Sequence, residues 1–305
     1  MIFEFIKESR GRFDVVEMCE TLEVSTSGYY RWEKAQPSAR KLEDESLKER
    51  ILGIHDQAVG DYGHRPVYEH LLEAGHLCGR DRTLRLMNEL GISGRQSRAY
   101  RPQGTDSAHG FGYSPNLFKE LGETWHCDEV WVADTTYLLT ESGWAYVATV
   151  MDRHSRRILG WSVSTSNDTA LVLDALKAAV ATRGTSVAGV IHHSDRGSTY
   201  ASYAYQNRLF ELGMKPSMSA KGNCYDNAAM ESFYGRFKTG SVRERVFSDE
   251  TDLRRHVFLY IEAFYNRFRK HSSLGYKNPV QFERDFFAPH GGQREERYLY
   301  QSRTN

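Results

Sequence analysis

Val130-Trp131-Val132-Ala133-Asp134-Thr135-Thr136-Tyr137 is an apolar, β-branched run with one acid inside it. Such a run predicts a strand, here Trp131 to Leu139. The two-residue period puts Asp134 on one face with Val130, Val132 and Thr136. An acid on a buried strand face is costly unless it is paired or binds a metal. The residues after it continue the pattern. Thr140-Glu141-Ser142-Gly143 is turn chemistry, Trp144 to Met151 reads as a second strand, and Arg156 to Ser164 as a third after the turn Asp152-Arg153-His154-Ser155. Short strands joined by tight turns predict an antiparallel meander.

Helices and strands then alternate. The sequence predicts a helix near Asp168 to Arg183, a strand at Val187 to His193, a helix near Ser198 to Leu212, a short strand at Lys215 to Met218, and a helix from Asp226 to Lys238. This is an α/β pattern, a mixed five-stranded sheet flanked by helices. It is compatible with a ribonuclease-H-like core, and strand order alone leaves other α/β folds open.

Two more acids stand out in this half. Asp195 lies just past a strand end, where ligand groups gather in open α/β sheets. Glu231 falls inside a helix, with Asn227, Tyr234 and Lys238 on its face by helical spacing. Each acid has an ordinary reading: an arginine-paired Asp, a turn Asp before Gly197, a solvated helix Glu. Three acids converging from a strand, a strand end and a helix would instead hold two divalent cations, the arrangement that cuts and joins phosphodiesters.

The first part of the chain reads helical. Phe13 to Leu22 carries apolar residues at helical spacing, and Ser25 or Thr26 caps a short second helix bearing Tyr29, Tyr30 and Arg31. A long helix runs from about Lys41 to Gln57. A second pair follows: Arg65 to Ala74, stopped by Gly75, then a helix opened by Gly79 or Asp81 and carrying Arg82 and Arg85. Each pair fits a helix-turn-helix or a plain helical hairpin. The expected division is a helical DNA-binding region at 1–94, a linker at 95–123, a catalytic core at 124–245 and a helical, partly basic extension at 246–305.

Composition bounds the function. The 305 residues contain 40 basic and 40 acidic side chains, so no net charge marks the chain as a nucleic-acid coat. The charge is unevenly spread. Glu120 to Asp152 holds seven acids and no Lys or Arg, while Arg236 to Lys277 holds ten Lys or Arg against five acids. An acidic centre between basic segments suits an enzyme acting on a polyanion. Cys19, Cys78, Cys127 and Cys224 have no paired spacing, and His126, Cys127, His192 and His193 form no regular zinc pattern. No ~18-residue apolar run predicts a membrane span, and the charged start does not look like a signal peptide, so a cytoplasmic protein is expected.

The chain closely resembles insertion-sequence transposases, specifically the second-reading-frame product (OrfB) with a retroviral-integrase-type catalytic core. The segments that carry the resemblance are Trp131 to Tyr137, Asp152 to Trp161, His193 to Tyr200, Ser217 to Ala228 leading to Glu231-Ser232-Phe233, and Tyr265 to Tyr276 leading to Pro279. Asp195 and Glu231 are separated by 35 residues. Tyr62-Gly63-His64-Arg65 and Leu84-Arg85-Leu86-Met87 are similar to the family's helix-turn-helix region. Ala220 stands where a basic residue is expected. The resemblance implies metal-dependent DNA cleavage and strand transfer, with Asp134, Asp195 and Glu231 as catalytic residues and ligands of two Mg2+ ions, Mn2+ substituting. Oxygen-only ligands suit these ions over zinc. It also implies DNA as partner, a homo-oligomer on that DNA, and an upstream-frame (OrfA-type) product as a further partner. The expected DNA contacts are Arg82, Arg85, Lys221, Asn223, Asn227, Arg236, Lys238, Arg269 and Lys270. A ribonuclease-H-fold nuclease and a non-catalytic DNA-binding regulator are the alternatives.

Overall fold

The computed structural model describes residues 2–34, 36, 38–95, 112–117, 126–219, 228–242 and 245–288. Its centre is one sheet. β1 (Val130–Thr140), β2 (Gly143–Asp152) and β3 (Ile158–Ser164) form the antiparallel meander. β4 (Ile191–Ser194) joins β1 in parallel, and β5 (Lys215–Met218) joins β4 in parallel. The order β3-β2-β1-β4-β5 is that of a ribonuclease-H-like core.

Local chemistry sets the element ends. Asp168 accepts the Leu171 N–H and caps α7 (Thr169–Arg183), which Gly184 stops in a left-handed conformation. The strand expected from Val187 starts only at Ile191, because Gly189 takes φ 86 and the Val190 N–H turns back to Val187. The helix expected from Ser198 to Leu212 divides at Ser202 into α8 (Ser198–Ala201) and α9 (Tyr203–Glu211). Ser202 is extended there, and its hydroxyl caps α9 by accepting the Tyr205 N–H.

Both faces of the sheet are covered. One bears Trp131, Ala133, Ala148, Val150 and Leu159 against Leu171, Val172, Ala175, Leu176 and Ala179 of α7. At Gly160 the contact is backbone on backbone: an added Cβ would stand 2.2 Å from the Ala175 carbonyl oxygen. The other face bears Val130, Val132, Val147, Met151 and Ile158 against Met230, Phe233, Tyr234 and Phe237 of α10 (Ala228–Phe237). Leu253 and Val257 of α11 (Glu250–Phe258) continue this layer. Each such fully buried aliphatic side chain contributes roughly 1.5–3 kcal/mol.

The amino-terminal helices divide into two groups. α1 (Ile2–Ser9), α2 (Val15–Thr21) and α3 (Thr26–Lys34) close around Ile6, Met18, Cys19 and Tyr29 in a core of their own. The sequence reading does not include α1, whose charged residues flank an apolar stripe that includes Phe3 and Ile6. α4 (Ala39–Gln57), α5 (His64–Glu73) and α6 (Arg80–Glu89) contribute Leu47, Ile51, Val67, Leu71, Leu86 and Met87 to the same continuous core as the α10 side of the sheet. Tyr62 ties this junction: its hydroxyl donates to the Phe268 carbonyl and accepts the Lys270 N–H.

Past α10 the chain adds a π-helical turn at Lys238–Val242, and past α11 another at Leu259–Tyr265. The sequence predicts a helix that ends at Lys238 in the first place and ordinary helix, within the extension at 246–305, in the second. Such turns recur at functional sites. α12 (Pro279–Phe287) closes the described chain, capped by Asn278 with Pro279 in the first turn.

Candidate active site

β1 and β4 bring the first two acids together. Their register pairs Val130 with Ile191, Trp131 with His192 and Val132 with His193. Continued two residues, the same offset sets Asp134 level with Asp195, on neighbouring strands about 4.8 Å apart. Asp195 sits just beyond β4, where its Oδ1 accepts the Gly197 N–H at 2.9 Å. Asp134 accepts the Thr135 N–H at 2.8 Å.

α10 supplies the third acid, and Tyr234 sets its position. Tyr234 is buried, one turn after Glu231. Its oxygen lies 2.9 Å from the Asp134 carbonyl, 3.1 Å from the Val147 carbonyl and 2.9 Å from the Thr149 hydroxyl. A phenol donates once, so it shares its proton between the carbonyls and accepts from Thr149. Thr149 is the β2 partner of Asp134. The helix bearing Glu231 is thus anchored at the Asp134 position. On the other side, Thr135 bonds the buried Tyr200 hydroxyl at 3.0 Å. Helical spacing marks Tyr234 as sharing a face with Glu231; its role as a clamp depends on the strands across from it.

The electrostatics follow from this crowding. Asp134 keeps partial solvent contact, but the Asp134 carboxyl is pushed up to about 8 by desolvation, then by the charge of Asp195, with Glu231 adding to it. The Thr135 N–H offsets part of this, and Lys238 a little more. Lys238 opens the first π-helical turn, with its ammonium 5.2 Å from the Tyr137 ring centre. Asp195 and Glu231 both bring negative charge to bear on Asp134, and a donor set of carboxylate oxygens alone suits a hard divalent cation.

A second acidic cluster lies elsewhere on the sheet. Cys127, Asp152 and Glu283 have ligand atoms within 4.8 Å of one another. Here guanidinium groups occupy the centre. Arg183 makes a two-pronged pair with Glu283 at 2.7 and 2.8 Å and bonds Asp128 at 2.6 Å. Arg157 adds a bond to Glu283 at 2.6 Å, and Ser155 another at 2.7 Å. Burial raises the Glu283 carboxyl, but the bonds and charge of Arg183, with Arg157 and Ser155, bring it below its ordinary range. This cluster docks α12 onto the meander. The zinc alternative also dissolves at β4: His192 bonds Tyr205 and His193 bonds Ser217, on opposite faces of the strand.

Most of the expected DNA contacts have partners within the protein. Arg82 pairs with Glu43 and Asp44, and Arg85 with Asp44 and Glu89. Arg236 and Arg269 share Asp61, at 3.2 and 3.3 Å. Lys270 is buried, with its ammonium on Glu73 and the Tyr276 carbonyl. A linear charge count hides this, because each carboxylate comes from a distant part of the chain. Lys221, Asn223 and Asn227 lie outside the described residues.

Comparison with known proteins decides the family. Models described as "Integrase core domain" match residues 126–224 and 212–279, and an "HTH-like domain" model matches 41–100. The 31 kDa protein of insertion element IS600 from Shigella sonnei is 40% identical over 269 residues, spanning 88% of this chain and 98% of that protein. Transposase InsF for insertion sequence IS3A of Escherichia coli strain K12 is 34% identical over 285 residues, spanning 93% and 98%.

The chain belongs to the insertion-sequence transposases with an integrase core.

Among solved structures, the HTLV-2 integrase catalytic core domain in complex with magnesium aligns with a TM-score of 0.41 at 13% identity, over 52% of this chain and 99% of that one. The transposase is a polynucleotidyl transferase that acts on DNA, and its type of core uses divalent metal. Among the described residues, no helix is long and apolar enough to cross a membrane.

Proposed function

We propose that Asp134, Asp195 and Glu231 are the catalytic residues, and that they hold two magnesium ions, which manganese can replace, during DNA cleavage and strand transfer. The observation that carries this reading is the placement of the three acids: the β1–β4 register sets Asp134 level with Asp195, and Tyr234 anchors the Glu231 helix at Asp134, whose carboxyl is raised by desolvation and then by the charges of Asp195 and Glu231. When bound, the ions acidify the attacking water or DNA 3′ hydroxyl and stabilise charge on the leaving 3′ oxygen. The protein's own part is positional. Thr135 orients Asp134, the Gly197 N–H orients Asp195, and Tyr234 holds the Glu231 helix against β1. Lys238, beside Asp134 at the head of its π-helical turn, faces the DNA backbone near the reacting phosphodiester.

The chemistry needs two DNA ends, so the chain works as a homo-oligomer on DNA, in the cytoplasm, with an upstream-frame product as a further partner. The helical region α4–α6 supports sequence recognition. In that region Arg82 and Arg85 reach phosphate only by exchanging their carboxylates.

The test is a strand-transfer assay on duplexes carrying the element's ends with a free 3′ hydroxyl. Joined product requiring magnesium is expected. Cleavage without joining would leave a nuclease, and unchanged DNA processing by Asp195→Asn would remove the assignment.

A further inference from the structure

Beside the carboxylate site lies a pocket of about 240 Å³. It is lined by Ser232 and Arg236 of α10, by Tyr265, Arg269 and His271, and by Arg156 from the β2–β3 turn. Ser232 directly follows Glu231, so the pocket opens about a quarter-turn round the same helix, within one helix diameter, on the order of 10 Å.

Three guanidinium groups face this space, and among the described residues one carboxylate answers them. Asp61 pairs with both Arg236 and Arg269. His271 is half-buried beside Arg269 and is held well below its ordinary range, because desolvation and then Arg269, Arg156 and Arg236 oppose a further positive charge. Among the described residues, no carboxylate pairs with Arg156. Counted over the described residues, the pocket therefore carries a surplus of about two positive charges.

The backbone makes the same point independently. Arg156 adopts φ 62, a conformation that glycine takes freely and long side chains rarely adopt. It ends the turn that the Asp152 N–H to Arg157 carbonyl bond closes, next to the register shift at Val150 and Met151. Glycine would suit the turn better. An arginine there, half-buried and lining the same pocket as two more arginines, is costly for folding.

We infer that this pocket seats a backbone phosphate of the DNA strand that passes the carboxylate site, with Arg156 as its principal contact. The inference rests on the transposase reading and adds a site to it. Arg236 and Arg269, held by Asp61, form the fixed wall; Arg156 supplies the charge that the protein leaves uncompensated. A guanidinium fork suits a phosphodiester's two free oxygens. The phosphate would fix the strand's register relative to Glu231 without reading its sequence.

The test uses the full chain and a duplex carrying one element end, in metal-free buffer, so that no chemistry intervenes. Affinity is measured against salt concentration. Arg156→Gln and Arg156→Gly should each weaken binding about tenfold and lower the slope of log affinity on log salt by about 0.9, the loss of one phosphate contact. Arg156→Lys should keep the slope. The melting temperature of Arg156→Gly should equal or exceed that of the parent, since glycine relieves the turn. An unchanged slope in both neutral variants overturns the inference, as does a lower melting temperature of Arg156→Gly, which would make the arginine a structural part of the turn. Stabilisation of the parent by inorganic phosphate, with an unchanged DNA slope, would make this a free-anion site and equally overturn it. A parent chain that binds no duplex would sink the transposase reading as well; binding with an unchanged slope would sink the pocket alone.

Discussion

The two acidic clusters on this sheet have similar ingredients and opposite character. Asp195 and Glu231 both bear on Asp134, and the described hydrogen-bond partner of the Asp134 carboxylate is a single backbone N–H. Glu283 is met by two guanidinium groups and a hydroxyl. The Asp134 carboxyl rises and the Glu283 carboxyl falls. Counter-charge, more than the number of acids, separates the proposed cation site from a cluster that already contains its own cations.

Neutralising an acid separates the clusters most sharply. Asp195→Asn should lower strand cleavage by at least about a thousandfold, the loss of roughly 4 kcal/mol of transition-state stabilisation. The fold should be as stable as the parent or more so, because a repelling charge is gone. Gel assays of cleaved and joined ends, with a denaturation curve alongside, measure both. Activity within tenfold of the parent would break the distinction.

The reverse outcome is expected at the second cluster. Arg183→Ala leaves Glu283, Asp128 and Asp152 short of their shared cation and should cost about 3–5 kcal/mol in chemical denaturation. Magnesium should not restore it. If divalent metal stabilised Arg183→Ala far more than the parent, the Cys127–Asp152–Glu283 cluster would be a latent metal site and the comparison would weaken.

This difference marks the limit of what the sequence discloses. The meander is legible because strand periodicity and turn residues are local, and the expected strand Lys215 to Met218 coincides with β5. Asp195 past a strand end is legible for the same reason. The guanidinium partners are not. Arg183 and Glu283 are 100 residues apart, and Arg269 and Asp61 are 208 apart. Nothing in either segment signals the other, so Arg269 and Lys270 read as free cations when they are internal ones. The π-helical turns escape for a different reason: Leu259–Tyr265 keeps a helix-like apolar pattern while its hydrogen bonds widen.

Acidity gives a smaller, graded contrast. Asp134 starts from 3.8 in the unfolded chain and rises to about 8 in the fold. The folded state keeps a proton that the unfolded chain has released. Stability from this group is complete below 3.8 and is lost as pH climbs through about 8. Asp152, desolvated but bonded by Ser155, Asp128 and Arg183, moves the same way to about 6, so its loss is largely over sooner. Between about pH 6 and 8 the metal-free protein should therefore lose on the order of 1–2 kcal/mol through the carboxylate site. Asp134→Asn should flatten that slope in thermal melts, and magnesium should raise the melting temperature more at pH 8 than at pH 6. A slope that persists in Asp134→Asn would place the titration elsewhere.

The smallest effect concerns how the carboxylate site is held together. The second cluster holds α12 with formal charges; the first holds α10 with one phenol. Tyr234→Phe keeps the ring packed against Phe233 and removes only the oxygen. The Thr149 hydroxyl then loses a buried acceptor, and the Asp134 and Val147 carbonyls lose a shared donor. Both carbonyls belong to strands, so the sheet's own hydrogen bonds soften the penalty to about 1 kcal/mol. Catalysis should suffer more than stability. The hydroxyl fixes Glu231 relative to Asp134, and a displacement of about 1 Å at a reacting centre can cost about a hundredfold. A fall of about tenfold in cleavage rate is expected, with a raised magnesium requirement, because a loosened Glu231 helix should weaken the site as a whole. Unchanged magnesium dependence in Tyr234→Phe would mean that helix packing alone, through Met230, Phe233 and Phe237, sets the third carboxylate.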